Sequence, residues 1–265
     1  MNILVTGDDG IFAEGLWALV KELRKCFDVT VVAPDRKQNA VGTAATVDRP
    51  IRAQKVKGFI PKVETWSVEG TPGDCVYLAI HKLAKDKISL VVSGINEGPN
   101  RGIDIFSSGT VSAAIKAYLF GLPGLAISQD LGKNSNLDTA ARLATLLAKA
   151  VNSKLLTPNV CLNVNVPNLA LHEIKGIKTA CLAGGGIYSD SVEEDSGRHG
   201  DKDHGMKDRY WLVRKREKMI VGRDTDIWAG QHGYISITPL DPFGNKRLPS
   251  ISGKLCCELF RGLKQ

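Results

Sequence analysis

No stretch of this sequence is long and apolar enough to cross a bilayer, and the N-terminal apolar run ends at Thr6 with no basic segment before it. The expectation is a cytoplasmic chain with neither a membrane span nor a secretory signal. Cysteine occurs six times, at Cys26, Cys75, Cys161, Cys181, Cys256 and Cys257, but never in C-x-x-C spacing. Most of the six sit inside apolar runs, as small hydrophobes do, so a thiolate zinc site is not expected. Aromatic residues are only 6% of the chain. The net charge is +7 and the pI near 9.1, yet lysine and arginine are interspersed with 28 acidic residues. That pattern suits a small anionic ligand and argues against nucleic acid and membrane as partners. No internal repeat is visible. What is present is 265 residues, 43% hydrophobic, with a mean hydropathy of -0.08, enough for one large core.

The organising stretch is Asn2 to Gly10. Ile3, Leu4 and Val5 form the short continuous apolar run of a central parallel strand, and Gly7 and Gly10 allow a turn after it. Asp8 and Asp9 stand side by side where that strand meets its loop. Two ionised carboxylates about 4 Å apart repel by roughly 4 kcal/mol at an effective dielectric near 20, so they need a compensating charge. A hard divalent cation supplies it; in the competing reading one Asp caps the following helix and the other is solvated.

Further along, Leu16, Leu19, Val20 and Leu23 share one helical face, and residues 29–33 are a second strand closed by Pro34. A polar loop follows and carries Asn39. Residues 46–66, with Pro50 and Pro61 between short apolar runs, read as an excursion of extended hairpins. Thr71-Pro-Gly-Asp74 opens a helix with Val76, Ile80 and Leu83 on its buried face. Residues 89–93 form the next strand, emptying into a long loop over 94–104 that contains Asn96. Ser107-Ser-Gly-Thr110 starts a helix with Val111, Ala114, Ile115 and Tyr118 on one face and Gly121 as its stop. Small residues at a helix start leave backbone N–H groups open to an anion, so Ser108, Gly109 and Thr110, with Asn96, are the expected phosphate seat; an ordinary cap is the other reading. Strands at 125–128 and 160–166 flank a helix at 137–150.

After Pro167 the alternation stops. Strands are expected at 177–182, 210–214 and 234–238, followed by a C-terminal helix, while 184–205 reads as a mobile Gly-rich, charged stretch in which His199 and His204 are solvated rather than ligating. The predicted class is α/β: a doubly wound, mostly parallel sheet in a Rossmann-like three-layer sandwich, with core 1–166 and a β-rich extension 167–265 within the same domain. Exposed strands in that extension call for a partner chain. Asp8, Asp9, Asn39 and Asn96 converge from three strand ends, and this oxygen-only set suits Mg²⁺ or Mn²⁺, with Ca²⁺ as a third option, for metal-assisted phosphoryl transfer to water. A receiver domain is excluded because no acceptor Asp follows the third core strand. A dinucleotide-binding enzyme is disfavoured because Asp8 and Asp9 would repel a pyrophosphate.

The runs that carry most are Asn-Ile-Leu-Val-Thr-Gly-Asp-Asp-Gly-Ile from Asn2, Ala-Pro-Asp-Arg-Lys-Gln-Asn-Ala-Val-Gly from Ala33, Gly-Thr-Pro-Gly-Asp-Cys-Val from Gly70, Val-Ser-Gly-Ile-Asn-Glu-Gly-Pro-Asn from Val92 and Ser-Gly-Thr-Val from Ser108. With Asn-Val-Asn-Val-Pro from Asn163, Thr-Asp-Ile-Trp-Ala from Thr225 and Gly-Tyr-Ile-Ser-Ile-Thr-Pro-Leu from Gly233, they resemble the SurE family of 5'-nucleotidases over nearly the whole chain. The resemblance implies a divalent-metal-dependent phosphatase of nucleoside 5'-monophosphates, with 3'-monophosphates and short polyphosphate as further candidate substrates. It also implies one metal ion per subunit, catalytic Asp8 and Asp9, ligands Asp8, Asp9, Asn39 and Asn96, and a homodimer or homotetramer built through the C-terminal extension. The family usually has Ser where this chain has Asn39; both offer a neutral oxygen. A non-catalytic nucleotide-binding or assembly protein on the same scaffold is the alternative.

Overall fold

The computed structural model describes residues 1–132, 137–194, 209–217, 219–242 and 251–265. Strand β1 (Asn2–Thr6) is buried along its length and feeds two cores. Ile3 and Val5 pack with Leu16, Leu19, Val20 and Leu23 of helix α1 (Glu14–Leu23). Leu4 faces the opposite side of the sheet. Burial of each of these strand side chains contributes about 2 kcal/mol, so β1 is stable only with helices on both faces.

The chain continues through β2 (Asp28–Pro34), β3 (Ala53–Lys55), β4 (Glu64–Val68) and α2 (Pro72–Leu78), which runs on as a π-helical turn at Ala79–Leu83. Then come β5 (Ile88–Glu97), a 3-10 turn (Gly102–Phe106), α3 (Gly109–Leu119), β6 (Gly124–Gln129), α4 (Leu137–Asn152) and β7 (Cys161–Val166). The last part holds β8 (Ile177–Thr179), β9 (Tyr188–Glu194), β10 (Tyr210–Arg216), α5 (Asp226–Gln231), β11 (Ile235–Pro239) and α6 (Gly253–Lys264).

Nine strands form one sheet in the order β3-β4-β2-β1-β5-β6-β7-β11-β8, parallel from β4 through β7. Helices α1, α4 and α6 contribute to the core on one face, and α2 and α3 to the core on the other. From β1 the chain first winds toward β2 and β4, then crosses to β5 on the far side of β1. The crevice between the C-terminal ends of β1 and β5 is therefore the topological switch point, where open α/β sheets bind ligands. No helix among the described residues is long and apolar enough to cross a membrane.

Several sequence expectations change. The 46–66 excursion is a hairpin only in part: β3 pairs antiparallel with β4, but β4 joins the main sheet parallel to β2. The loop expected over 94–104 starts later, because β5 runs to Glu97 through a register shift between Ser93 and Asn96. Part of the stretch read as mobile at 184–205 is strand β9, paired with β10 in a separate two-stranded sheet; His199 and His204 lie outside the described residues. The strand expected at 177–182 ends at Thr179. Strands β11 and β8 complete the main sheet, β11 antiparallel to β7 and β8 parallel to β11.

The start of α2 matches its sequence reading. Thr71 and Asp74 form a capping box, with the Thr71 N–H donating to Asp74 Oδ2 at 2.9 Å and the Asp74 N–H to Thr71 Oγ1 at 3.1 Å. Asp74 also accepts from the Thr46 N–H at 3.0 Å and Thr46 Oγ1 at 2.7 Å, tying the crossing segment to the helix. Replacing Asp74 by Ala strands these donors, and the expected loss of about 2 kcal/mol will register as a lower urea midpoint at unchanged slope. Asp74→Asn should lose less.

Candidate active site

Gly10, at φ 92°, makes the turn after the Asp-Asp pair; Gly7 needs no such conformation. The N-cap of α1 is Ala13, without a side-chain hydrogen bond, so neither Asp caps that helix. Asp8 instead serves a helix start distant in sequence. The Thr110 N–H donates to Asp8 Oδ2 at 3.1 Å, and Thr110 Oγ1 donates to Asp8 Oδ1 at 2.5 Å. Asp8 is only 6% exposed. Burial pushes its carboxyl pKa above the ordinary value and the Asp9 charge adds to that, while the Thr110 bonds pull it down. The partial positive charge at the start of α3 therefore falls on Asp8.

Asp9 points outward from the same turn. It accepts from the Glu97 N–H at 3.3 Å and lies 3.2 Å from Lys37 Nζ through Oδ1. That bond and the Asp9 charge, with smaller contributions from Glu97 and Asp8, raise the lysine pKa above its usual value. Asn96, near the end of β5, donates from Nδ2 to Gly98 O at 2.6 Å, which leaves Oδ1 as the atom not committed by that bond. Asp8, Asp9 and Asn96 line one small cleft together with Gly7, Gly10, Gly94 and the apolar Ala13, Leu16 and Ile95. Exposed Asn39 is not among the lining residues, but the N–H of its neighbour Gln38 donates to Asp8 O at 2.7 Å and holds that loop against the first one.

Ser108 and Thr110 are occupied differently from the phosphate expectation. Ser108 is the N-cap of α3: its Oγ accepts from the Val111 N–H at 3.1 Å and its own N–H donates to Ile105 O at 3.2 Å. With the Thr110 N–H on Asp8, two of the three expected phosphate donors are engaged inside the protein. Gly109 packs directly on the carboxylate, since a β-carbon there would lie 2.7 Å from Asp8 Cβ and 3.0 Å from its Oδ2.

Three groups of residues missed by sequence reasoning shape the site. In the Asn-Val-Asn-Val run, Asn163 and Asn165 donate from Nδ2 to Asn100 O at 2.8 and 2.9 Å, and Asn165 Oδ1 accepts the Asn100 N–H at 2.8 Å. Strand β7 thus fixes the backbone of the loop after β5 with side-chain amides. Buried Asp226, beside the Thr225 cap of α5, accepts the N–H groups of Gly102 at 2.8 Å and Ala183 at 3.1 Å. Lys37 is the third. For the first two the signal was the polar residue at a position a buried strand or helix should fill with an apolar one.

The site's own chemistry fits a hard cation: one buried and one mostly buried carboxylate with an adjacent amide oxygen, all oxygen donors. Among the described residues no group of three His, Cys, Asp or Glu side chains is arranged to hold a metal, so a cation here needs amide oxygens as well as the two carboxylates. Fold and site together define a doubly wound α/β protein with an acidic, oxygen-donor pocket at its switch point. The chain belongs to the SurE family: residues 3–188 match the family model for survival protein SurE. It is 43% identical over 91% of its length to the 5'-nucleotidase SurE of Dehalococcoides mccartyi (strain CBDB1), covering 88% of that protein. It is 42% identical to the 5'/3'-nucleotidase SurE of Proteus mirabilis (strain HI4320), over 91% of this chain and 89% of the relative. Its fold is similar to the crystal structure of the SurE protein from Aquifex aeolicus, with a TM-score of 0.74, 33% identity and complete coverage of both chains.

The contact between Gly109 and Asp8 makes a direct prediction. Gly109→Ala should displace the Asp8 carboxylate from its Thr110 donors; if Asp8 ligates the divalent ion expected from the sequence, Mn²⁺ binding should weaken by about tenfold or more. Calorimetric titration of Mn²⁺ measures it, and an unchanged affinity would show that the methyl is accommodated without moving Asp8.

Proposed function

We propose that this chain is a divalent-metal-dependent phosphatase that hydrolyses nucleoside 5'-monophosphates to nucleoside and phosphate in the cytoplasm. The observation that carries the reading is the pairing of buried Asp8 with the α3 start at the switch point, beside Asp9 and Asn96. The names of the relatives, 5'-nucleotidase and 5'/3'-nucleotidase SurE, support the substrate class and make 3'-monophosphates the next candidates. Short polyphosphate is a third.

Asp8, Asp9 and Asn96, with Asn39 from the neighbouring loop, would hold one Mg²⁺ or Mn²⁺ per subunit, Ca²⁺ being the less favoured ion. The ion supplies Lewis-acid polarisation of a phosphoryl oxygen when bound. Thr110 holds Asp8 in one orientation and the Glu97 N–H does the same for Asp9, so neither carboxylate must reorganise during the reaction. The net charge of +7 favours approach of an anion.

Asp9→Asn keeps the size of the side chain but removes one of the two anionic ligands; turnover of AMP should fall about 100-fold or more with the fold intact. Near-wild-type turnover at saturating Mn²⁺ would overturn the assignment. A panel of AMP, GMP, UMP, CMP and their 3' isomers, each with Mg²⁺, Mn²⁺ or EDTA, tests reaction class and specificity together. Absence of phosphate release in every arm would favour the non-catalytic nucleotide-binding reading.

Assembly belongs to the same reading. Among the described residues the β9–β10 ribbon pairs with no other strand, and it exposes Val192 at 63%, Trp211 at 62% and Leu212 at 84%. Two-stranded ribbons are marginal alone, so a homodimer or homotetramer through this ribbon is the arrangement we propose. Light scattering should report a dimer or larger at micromolar concentration; a monomer throughout that range would refute it.

A further inference from the structure

Lys37 stands at the site with chemistry that the proposed reaction has not used. Its Nζ lies 3.2 Å from Asp9 Oδ1, while 66% of its side chain is exposed against 14% for Asp9. Glu97 and Asp8 are the other acidic groups acting on it. The lysine therefore reaches from solvent to a mostly buried carboxylate over a flexible stem. Its pivot does not move freely, because the next residue, Gln38, donates its N–H to Asp8 O at 2.7 Å.

Charge balance gives this arrangement two states. Without a cation, Lys37 sits among Asp9, Glu97 and Asp8 and takes Oδ1 of Asp9. A divalent ion needs that same carboxylate. Asp9 Oδ2 already accepts the Glu97 N–H, so an ion on Asp9 competes with the ammonium for Oδ1, and the repulsion between the two cations frees the ammonium. A compact ammonium on a four-carbon stem, anchored at the rim, then has a dianionic phosphate as its strongest available partner.

We propose that Lys37 is a substrate-phosphate-binding residue that exchanges partners, holding Asp9 in the ion-free protein and the phosphate of the substrate once a divalent ion has taken Asp9. This rests on the reading of the site as metal-dependent. An ordinary surface ion pair is the competing account, and it predicts little effect on any ligand.

The test uses the whole protein with Lys37→Met, which keeps the stem and removes the charge, and Lys37→Arg, which keeps the charge. Calorimetry first titrates Mn²⁺ with no substrate, then inorganic phosphate into the Mn²⁺-saturated protein. Lys37→Met should bind Mn²⁺ about threefold more tightly, since a competitor is gone. The same variant should bind phosphate about tenfold more weakly, since a charge-assisted bond is lost, and Lys37→Arg should stay near wild type in both. Phosphate affinity unchanged in Lys37→Met, or Mn²⁺ affinity that fails to rise, would overturn the proposal while leaving the metal-dependent reading intact. A wild-type protein that binds no Mn²⁺ would overturn both.

Discussion

A carboxylate held almost entirely out of water is the constraint around which the molecule is arranged. Asp8 sits at the end of the central strand with only 6% of its surface exposed. A buried charge without partners is far costlier than any single packing defect, so the fold must bring donors to it. It brings them from Thr110, 102 residues away, as a backbone N–H and a hydroxyl at the first turn of α3. That requirement fixes where α3 begins relative to β1. It also explains the glycine beside Thr110, because the helix cannot approach the carboxylate so closely with a side chain at position 109.

The loop after β5 is held by equally specific means. A segment dense in Gly, Asn and Pro has too few apolar contacts to keep one shape by packing alone. Here the Asn163 and Asn165 amides grip Asn100, the Asp226 carboxylate receives Gly102 N–H, and Arg101, 2% exposed, meets Asp130 with Nη2 2.9 Å from Oδ1. These groups come from β7, α5 and the end of β6. The C-terminal third thus supports the site in two ways: β11 extends the sheet beyond β7, and α5 anchors the loop that carries the 3-10 turn.

How much of this was legible depended on the range of the interaction. Local signals read well: the apolar run of β1, the Leu16–Leu23 stripe of α1, the capping box at Thr71 and Asp74, and the cap at Ser108 each depend on residues within about two turns of one another. Strand β4 was misplaced because nothing in Glu64–Val68 distinguishes a hairpin strand from one that also pairs parallel to β2. Strand β9 was hidden by its polarity; Tyr188–Glu194 has the alternation of neither a half-buried strand nor a core one, because its sheet lies outside the core. The convergence of Asp8, Asp9 and Asn96 could be inferred from strand ends and chain order. Which partner each atom takes could not, since those bonds span 88 and 102 residues for Asp9 and Asp8.

The two adjacent aspartates end up with unequal duties, and the inequality follows from direction alone. Successive residues in a turn point different ways, so when Asp8 turns into the space under α3, Asp9 is left facing the rim. The inner carboxylate is locked by two donors, the Thr110 N–H and hydroxyl, while the Gln38 N–H holds the main-chain carbonyl of the same residue. The outer one has one backbone donor and a lysine that solvent can reach. A carboxylate fixed inside the fold thus stands beside one whose cationic partner is in solvent. Had both carboxylates turned under α3, the desolvation cost would have risen with only one helix start to offset it. The pair Asp-Asp therefore specifies more than two negative charges, because adjacent side chains in this turn take different partners, one from α3 and one from the rim.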